Sequence, residues 1–221
     1  VFNMLSGYSE PANWNRLIVA PIWMKKRFLE MIHRETKNAK EGKPAKIIAK
    51  CNSLCDRNII LALYEASCAG VQVDLIVRGI CCLVAGKPGV SENIRVRSIV
   101  GTFLEHARIF YFYNDGHEEI YMGSADWMPR NLDRRVEIVF PVEEEELKEK
   151  AKHILDVQLS DTLKAHRLLE DGTYQKVDRR GKEAIEAQKT FCEEAIAAAN
   201  ESKKKVPKKR TFDPRFSPQE E

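Results

Sequence analysis

Residues 46–78 read KIIAKCNSLCDRNIILALYEASCAGVQVDLIVR, and they decide the fold class of this chain. Two short apolar runs, 46–51 and 71–78, read as strands on either side of a segment that begins after Asp56 and ends before Gly70. Aspartate is a preferred cap at helix N-termini, and glycine is typical of the position just past a helix C-terminus. The stretch therefore predicts strand, helix (57–69) and strand, and a helical crossover of this kind joins parallel strands.

The flanking regions extend this pattern. A helix is predicted over 24–39, with Phe28, Leu29 and Ile32 on one face and with Gly42 and Pro44 ending it. Four more strands are predicted over 94–99, 108–113, 119–122 and 135–142, and then a helix over 143–160 that begins with acidic residues, as the helix dipole favours. We predict an α/β sandwich with a mixed central sheet.

The character of the chain changes at Thr173. We predict one domain over 1–172 and a tail over 173–221, made of a weakly amphipathic helix (182–200) and a charged, proline-containing remainder that we expect to be disordered. Basic residues at 203–205 and 208–210 are expected to attract polyanions without specificity.

Length and composition exclude several classes of protein. The 221 residues are 43% hydrophobic, as in globular proteins, and no apolar run approaches the roughly 20 residues that span a bilayer. The chain begins with Val1 in a folded-looking segment, which we interpret as a boundary inside a larger protein. Its six cysteines lack the spacing of a zinc site, and we expect neither metal nor disulfides, as in a reducing cytoplasm. Cys68, Cys81 and Cys82 are predicted to be small core residues.

The chemistry concentrates around one histidine. The segment FLEHAR (103–108) precedes an apolar run, and GSADW (123–127) follows it. Arginines gather around these segments; they are Arg95, Arg97, Arg108, Arg130, Arg134 and Arg135. A guanidinium is planar, always charged and able to bond phosphate oxygens bidentately. An imidazole can act on a phosphoryl group as nucleophile or as general acid and base. The pattern predicts a phosphate site in which His106 does the chemistry.

Two resemblances sharpen this prediction. The layout is similar to a phospholipase D half-site, but Arg108 replaces the usual lysine, Tyr113 and Asn114 stand where an aspartate is expected, and Asp126 replaces an asparagine. With IVRGICC (76–82), SENIRVRSIVG (91–101) and GSADWMPRNLDRRVE (123–137), the chain resembles the last catalytic domain of a bacterial polyphosphate kinase, from about residue 2 to residue 174. All of these departures agree with the polyphosphate kinase pattern.

The polyphosphate kinase resemblance implies a phospholipase D-like α/β/α fold and a reversible transfer of the terminal phosphate of ATP to polyphosphate, with ADP as the other nucleotide. The family's phosphorylated histidine lies on the preceding domain, so His106 matches the second histidine and is expected to contact nucleotide and deliver a proton. The expected nucleotide-binding residues are Arg78, His106, Arg108, Ser124 and Arg130. We expect no metal ligands here, since Mg²⁺ would arrive with the nucleotide or be bound by other domains.

The same resemblance implies partners and location. The expected partners are ATP, polyphosphate and the preceding domains of one polypeptide, in a cytoplasmic homo-oligomer that associates with no specific nucleic acid; membrane association of the longer protein stays open. Two other functions remain. One is a homodimeric phospholipase D-type phosphodiesterase or nuclease with a covalent His106, and the other is a non-catalytic polyanion-binding module.

The remaining residues of interest receive plainer interpretations. Asn52, just after a strand, is a polar candidate for the site. Trp127 and the aromatic run 110–113 are expected in the core. His33, His117, His153 and His166 are expected to be structural. Arg134 and Arg135 would point to opposite faces if they lie on a strand, because side chains alternate along it.

Overall fold

A computed structural model describes Asn3, residues 6–8, Trp14 and residues 16–205, with side chains up to residue 202. The basic run of 203–210 and the end of the tail therefore lie outside the described side chains. The strands are β1 (Ile18–Val19), β2 (Lys46–Cys51), β3 (Gln72–Val77), β4 (Ile94–Ile99), β5 (Ile109–Phe112), β6 (Glu119–Gly123), β7 (Ile138–Pro141), β8 (Ala165–Leu168) and β9 (Tyr174–Lys176). The helices are α1 (Met24–Lys40), α2 (Arg57–Cys68), α3 (Pro129–Asp133), α4 (Glu145–Leu159) and α5 (Ala187–Lys205), and a 3₁₀ turn covers Asn114–Gly116.

The strands form one mixed sheet in the order β1-β7-β6-β5-β2-β3-β4-β8-β9. β2, β3 and β4 are parallel neighbours, and every other pair is antiparallel. The parallel pairing of β2 with β3 follows from the helical crossover α2, as predicted. Asp56 caps α2 by accepting hydrogen bonds from the backbone N–H groups of Asn58 (3.0 Å) and Ile59 (3.1 Å). Gly70 follows the helix with a positive φ of 97°, so both predicted boundary signals are confirmed.

Helices cover both faces of the sheet. Alternate residues of β2 point to opposite sides, so that Ile47 and Ala49 pack into one core and Ile48 packs into the other. The larger core lies under α1 and α2, and the smaller core lies under α4, where Ala151 and Leu155 are buried. The predicted α/β sandwich with a mixed central sheet is confirmed.

Three aromatic rings fill the centre of the larger core. Phe28 of α1 meets Phe110 of β5 edge to face with ring centroids 4.7 Å apart, and Trp127 stacks on Phe110 at 5.1 Å. All three side chains are fully buried. Trp127 and the 110–112 part of the aromatic run are therefore core residues, as predicted, and the packing of Trp127 fixes the chain directly after the Gly-Ser turn.

The predicted strand over 135–142 is wrong at its beginning. Pro129 occupies the first turn of the short helix α3, a position that suits proline because its missing N–H has no helical partner there. The helix ends at Asp133, and the N–H of Arg135 bonds to the carbonyl O of Arg130 (3.0 Å). Arg134 and Arg135 consequently lie in a turn before β7, both exposed, and the expectation that they face opposite sides of a strand does not apply.

The predicted burial of the cysteines is also wrong for two of them. Cys68 is exposed in the last turn of α2, with its Sγ 3.5 Å from the carbonyl oxygens of Gly89 and Val90. Cys82 is exposed and Cys81 half-buried, because Cys81 forms an isolated bridge with Leu54 and the next side chain turns outward. All six cysteines are free thiols.

The sheet continues past residue 172. β8 and β9 pair as a hairpin on the outer side of β4, although neither strand was predicted. β8 buries only its end residues, Ala165 and Leu168, so it lacks the alternation that marks a strand in a sequence. α5 begins at Ala187, five residues later than the predicted start at 182. In the part of the chain that the structure describes, no helix combines the length and apolarity needed to cross a membrane.

We expect truncation of Phe110 to cost about 3–5 kcal/mol of unfolding free energy, because Phe110→Ala leaves a cavity between two other aromatic rings. Urea denaturation followed by circular dichroism measures this loss. Phe140→Ala on the half-exposed face of β7 is the matched control and should cost clearly less. Equal losses in the two variants would contradict the assignment of Phe110 to the centre of the core.

Candidate phosphate site at one edge of the sheet

Four strands bring predicted site residues to the same edge of the sheet. The carboxyl ends of β2 and β3 lead into Asn52 and Arg78, and the antiparallel strand β5 begins at this edge just after His106 and Arg108. β6 ends here at the Gly123–Ser124 turn, and β4 and β7 also have an end at this edge. Ligands of open α/β sheets bind outside the carboxyl ends of the parallel strands. The edge therefore collects the predicted site residues from distant parts of the sequence.

A buried ion pair organises the edge. The Nη2 of Arg108 donates to Oδ2 of Asp126 (2.9 Å), and its Nε donates to Oδ1 (3.2 Å). Arg108 is only 8% exposed and Asp126 only 6% exposed. Oδ1 of Asp126 also accepts the backbone N–H of Asn52 (2.6 Å). One carboxylate thus joins the end of β2, the start of β5 and the loop after β6.

The other face of Arg108 holds the histidine. Its Nη1 donates to Nδ1 of His106 (2.8 Å) and to the carbonyl O of His106 (2.7 Å), while Nη2 lies 3.3 Å from Nε2. An arginine can only donate, so a ring nitrogen that bonds Arg108 does so as an acceptor, and the tautomer of the ring decides which nitrogen this is. The imidazole itself is exposed. His106 is therefore an accessible imidazole that Arg108 orients.

The remaining arginines of the edge are arranged differently from Arg108. Among the described residues, Arg78, Arg130, Arg134 and Arg135 form no ion pair with a carboxylate; Arg78 is half-buried and the other three are exposed. Charged side chains that lack partners at the ends of strands create a positive surface. An anion at this edge would find guanidinium groups whose hydrogen-bonding capacity is free.

Asn52 adds a buried amide donor to this edge. Its side chain is 7% exposed, and its Nδ2 has no hydrogen-bond partner in the described part of the chain. A buried amide donor without a partner is costly, and such groups in native structures call for a water or a ligand. Asn52 follows β2 directly, between Asp126 and the backbone of Gly79, whose N–H bonds to the carbonyl O of Asn52 (2.9 Å).

The Gly123–Ser124 turn is present, but the Ser124 hydroxyl already bonds to other groups of the protein. A Cβ at Gly123 would collide with the carbonyl O of Ile138, so only glycine allows β6 to approach β7 this closely. Ser124 Oγ donates to Glu137 and accepts the N–H of Ile138 (3.2 Å). Glu137 also accepts a hydrogen bond from Asn131 of α3. The one hydroxyl proton of Ser124 thus serves the turn, and a direct contact between Ser124 and phosphate stays a prediction.

A polar network lies beneath the loop that carries His106. Glu105 accepts from Lys50 Nζ (2.9 Å) through Oε2 and from Gln188 Nε2 (3.0 Å) through Oε1, and Gln158 also donates to it. Burial by itself would raise the pKa of Glu105. The charge and hydrogen bond of Lys50 and the hydrogen bonds of Gln188 and Gln158 outweigh this effect, so the pKa is lowered. Glu105 thus remains ionised and opposes the buried charge of Lys50.

The cysteines at this edge carry no charge at neutral pH. Burial raises the pKa of Cys51 well above its usual value, and burial together with the neighbouring thiol of Cys82 raises the pKa of Cys55 to about 11. Protonated thiols do not repel a phosphate. In the described residues no cluster of three or more His, Cys, Asp or Glu side chains is arranged to hold a metal ion. Two carboxylates at this edge, Asp126 and Glu137, are already engaged by protein groups.

The sequence identified His106, Arg78, Arg108, Ser124 and Arg130, and the structure places all five residues at or beside this edge. It shows direct contact only between His106 and Arg108. Asp126, Glu105, Lys50 and Gln188 were not recognised as parts of the site. A lysine within the apolar run 46–51 was a usable signal, because a charge in a buried strand requires a partner. Gln188 gave no such signal, since its role depends on a contact across 85 residues.

The chain is similar in sequence to proteins of one family. Residues 17–188 match the family described as polyphosphate kinase C-terminal domain 2. The chain is 52% identical over 202 residues to a polyphosphate kinase of Synechocystis sp., covering 91% of this chain and 28% of that protein. It is 45% identical over 224 residues to one of Lactiplantibacillus plantarum, covering 100% of this chain and 31% of that protein.

A solved structure has a similar fold. The crystal structure of polyphosphate kinase from Porphyromonas gingivalis superimposes with a TM-score of 0.85 and 40% sequence identity, covering 91% of this chain and 31% of that one. The chain thus spans about three tenths of the length of these relatives.

We expect Asp126→Asn to lower the free energy of unfolding by about 3–5 kcal/mol, because it leaves the buried guanidinium of Arg108 without a counter-charge. Urea denaturation at neutral pH measures the loss. Asp74→Asn is the matched control: Asp74 also pairs with an arginine (Arg95 Nε to Oδ1, 2.7 Å), but that arginine is half exposed. The ion-pair role of Asp126 would be refuted by losses of the same size at both positions.

Proposed function

Since this chain belongs to the polyphosphate kinase family, within its C-terminal domain 2, we propose that it supplies one wall of a site that reversibly transfers the terminal phosphate of ATP to polyphosphate. The observation that carries the proposal is the exposed imidazole of His106, held by the buried Arg108–Asp126 pair beside arginines without carboxylate partners. The covalent phosphohistidine intermediate forms on a histidine outside these 221 residues.

Some residues of this edge contact the ligand, and others hold those residues in place. Arg78 and Arg130 contact phosphate oxygens, and Asn52 Nδ2 provides a further donor beside them. His106 contacts the nucleotide through its exposed imidazole. Arg108 acts through His106, since its nitrogens are already bonded to Asp126 and to the histidine. Ser124 and Glu137 hold the turn that brings α3 and Arg130 to the edge.

This arrangement suits phosphoryl transfer. In the first step the bond between the terminal phosphorus and the β–γ bridging oxygen of ATP breaks, a bond forms between that phosphorus and a nitrogen of the histidine outside these residues, and ADP leaves. Negative charge builds up on the bridging oxygen and stays spread over the peripheral oxygens. Fixed guanidinium groups and a positioned N–H stabilise that charge without reorganising during the reaction. In the second step the terminal oxygen of polyphosphate takes the phosphoryl group, and the histidine is regenerated.

Magnesium enters this scheme with the nucleotide. Mg²⁺ prefers octahedral oxygen ligands and usually binds substrate phosphates together with one or two carboxylates. Asp126 and Glu137 are committed to Arg108, Ser124 and Asn131, so we assign neither carboxylate to the ion. When bound, the ion supplies charge neutralisation on the phosphates, and the residues of this chain bind and orient them.

We expect Mg-ATP or tripolyphosphate to bind this chain, and Arg78→Met and His106→Ala each to weaken that binding by about tenfold, since a hydrogen bond to a charged group contributes roughly 1.5–3 kcal/mol. Isothermal titration calorimetry at fixed salt measures the affinity. Lys43→Met removes one positive charge at the opposite edge, just before β2, and should leave the affinity unchanged. Equal weakening by Lys43→Met would indicate attraction by net charge alone, as in a non-catalytic polyanion-binding module.

The isolated chain should not synthesise polyphosphate from Mg-ATP, because the histidine that forms the covalent intermediate lies outside it. Formation of polyphosphate from radiolabelled ATP, with a full-length relative as positive control, tests this. Robust synthesis would place the nucleophile within this chain. Cleavage of a chromogenic phosphodiester that is lost in His106→Ala would instead favour a phospholipase D-type phosphodiesterase.

A further inference from the structure

The loop 101–106 carries His106 yet has few apolar anchors. Phe103 is 60% exposed and Leu104 is 79% exposed, so neither side chain is buried in a core. The loop leaves β4 after Ile99 and enters β5 at Ile109 without regular secondary structure. Because a loop without buried apolar contacts is prone to local motion, some other interaction must fix its conformation.

Gln188, in the first turn of α5, provides that interaction. Its Oε1 accepts the N–H of Phe103 (2.9 Å), and its Nε2 donates to the carbonyl O of the same residue (2.7 Å). A primary amide that bonds both backbone groups of one residue imitates a neighbouring strand. The same Nε2 reaches Oε1 of Glu105 (3.0 Å), one residue before the histidine.

The amide of Gln188 is itself rigidly held. The side chain is buried, and Glu105 in turn bonds Lys50 of β2 and Gln158 of α4. A Cβ at Gly101 would collide with the Gln188 amide, so the loop is shaped around this side chain. The start of α5 is fixed by Asp161, whose Oδ2 accepts the N–H of Ala187 (2.8 Å).

We propose that Gln188 is a positioning residue for His106: the amide clamp on Phe103 and Glu105 holds the histidine loop in the conformation in which Arg108 can orient the imidazole. Through this clamp the helix α5, which follows the sheet in sequence, becomes a functional part of the phosphate site. The inference deepens the proposed function, and its consequence for ligand binding rests on it, whereas the clamp itself is a property of the chain alone.

The test uses Gln188→Met, which keeps the length of the side chain and removes both hydrogen-bonding groups, with Lys189→Met on the exposed side of the same turn as matched control. Nuclear magnetic resonance relaxation measures the order of the backbone amides of 103–106, and the imidazole nitrogen shifts report the hydrogen bonds of His106. We expect the order parameters in Gln188→Met to fall from about 0.85 to below about 0.6, and the Nδ1 signal to move toward that of a free imidazole. Lys189→Met should match the unsubstituted chain.

A second readout connects the clamp to the ligand. If the ordered loop is populated only about a fifth of the time, the apparent affinity for tripolyphosphate falls about fivefold in Gln188→Met. Gly101→Ala, which displaces the amide without removing it, should reproduce both effects and is the second variant if Gln188→Met folds poorly.

The two proposals fail separately. Unchanged loop order and unchanged imidazole shifts in both variants, with or without a loss of stability, overturn the positioning role. Absence of tripolyphosphate binding by the unsubstituted chain overturns the proposed function, while the resonance measurements still decide the role of Gln188.

Discussion

The buried pair of Arg108 and Asp126 is the interaction on which the site depends. Removing two charges from water is costly, and the cost is offset only where geometry and additional hydrogen bonds are good. Here both carboxylate oxygens and three guanidinium nitrogens are bonded, and the carboxylate also receives the backbone N–H of Asn52. Because these groups come from β2, β5 and the loop after β6, the pair turns the ends of separate strands into one rigid surface.

Cations at this edge fall into two classes that differ in burial. Arg108 is buried and paired with Asp126, and Lys50 is buried and paired with Glu105. Their charges are therefore neutralised within the protein. Arg78 and Arg130 keep their guanidinium groups free of carboxylates in the described part of the chain. The first class fixes the position of His106 and its loop, and the second class leaves positive charge for a ligand. Counting arginines around the motif could not separate these classes, because pairing is decided by contacts between distant residues.

Local signals account for the parts of the fold that the sequence predicted. Asp56 and Gly70 act through hydrogen bonds and backbone angles within a few residues, so the boundaries of α2 could be read directly. The turn of Arg134 and Arg135 was missed because the strand was predicted to begin at residue 135, whereas the short helix that Pro129 begins places residues 134 and 135 in the turn after it. Cys82 was misplaced because its exposure depends on the bridge between Leu54 and Cys81. For the site, the motif around His106 predicted a phosphate site, but the partner of each side chain depended on contacts far along the chain.

An open edge limits what this chain can do alone. Electrostatic stabilisation of a transferring phosphoryl group is strong only where water is excluded, because bulk water screens the attraction between charges. His106 and Arg130 are exposed, and the apolar side chains of Phe103 and Leu104 stand in solvent beside the histidine. Apolar surface next to a charged edge is favourable once it is covered, and covering it also dries the site. The relatives are more than three times as long as this chain. A dry site and the proposed role as one wall of a larger site both require further protein over this edge. In the proposed function, the buried pair of Arg108 and Asp126 presents its part of the site already formed, so that covering the edge does not need to reorganise it.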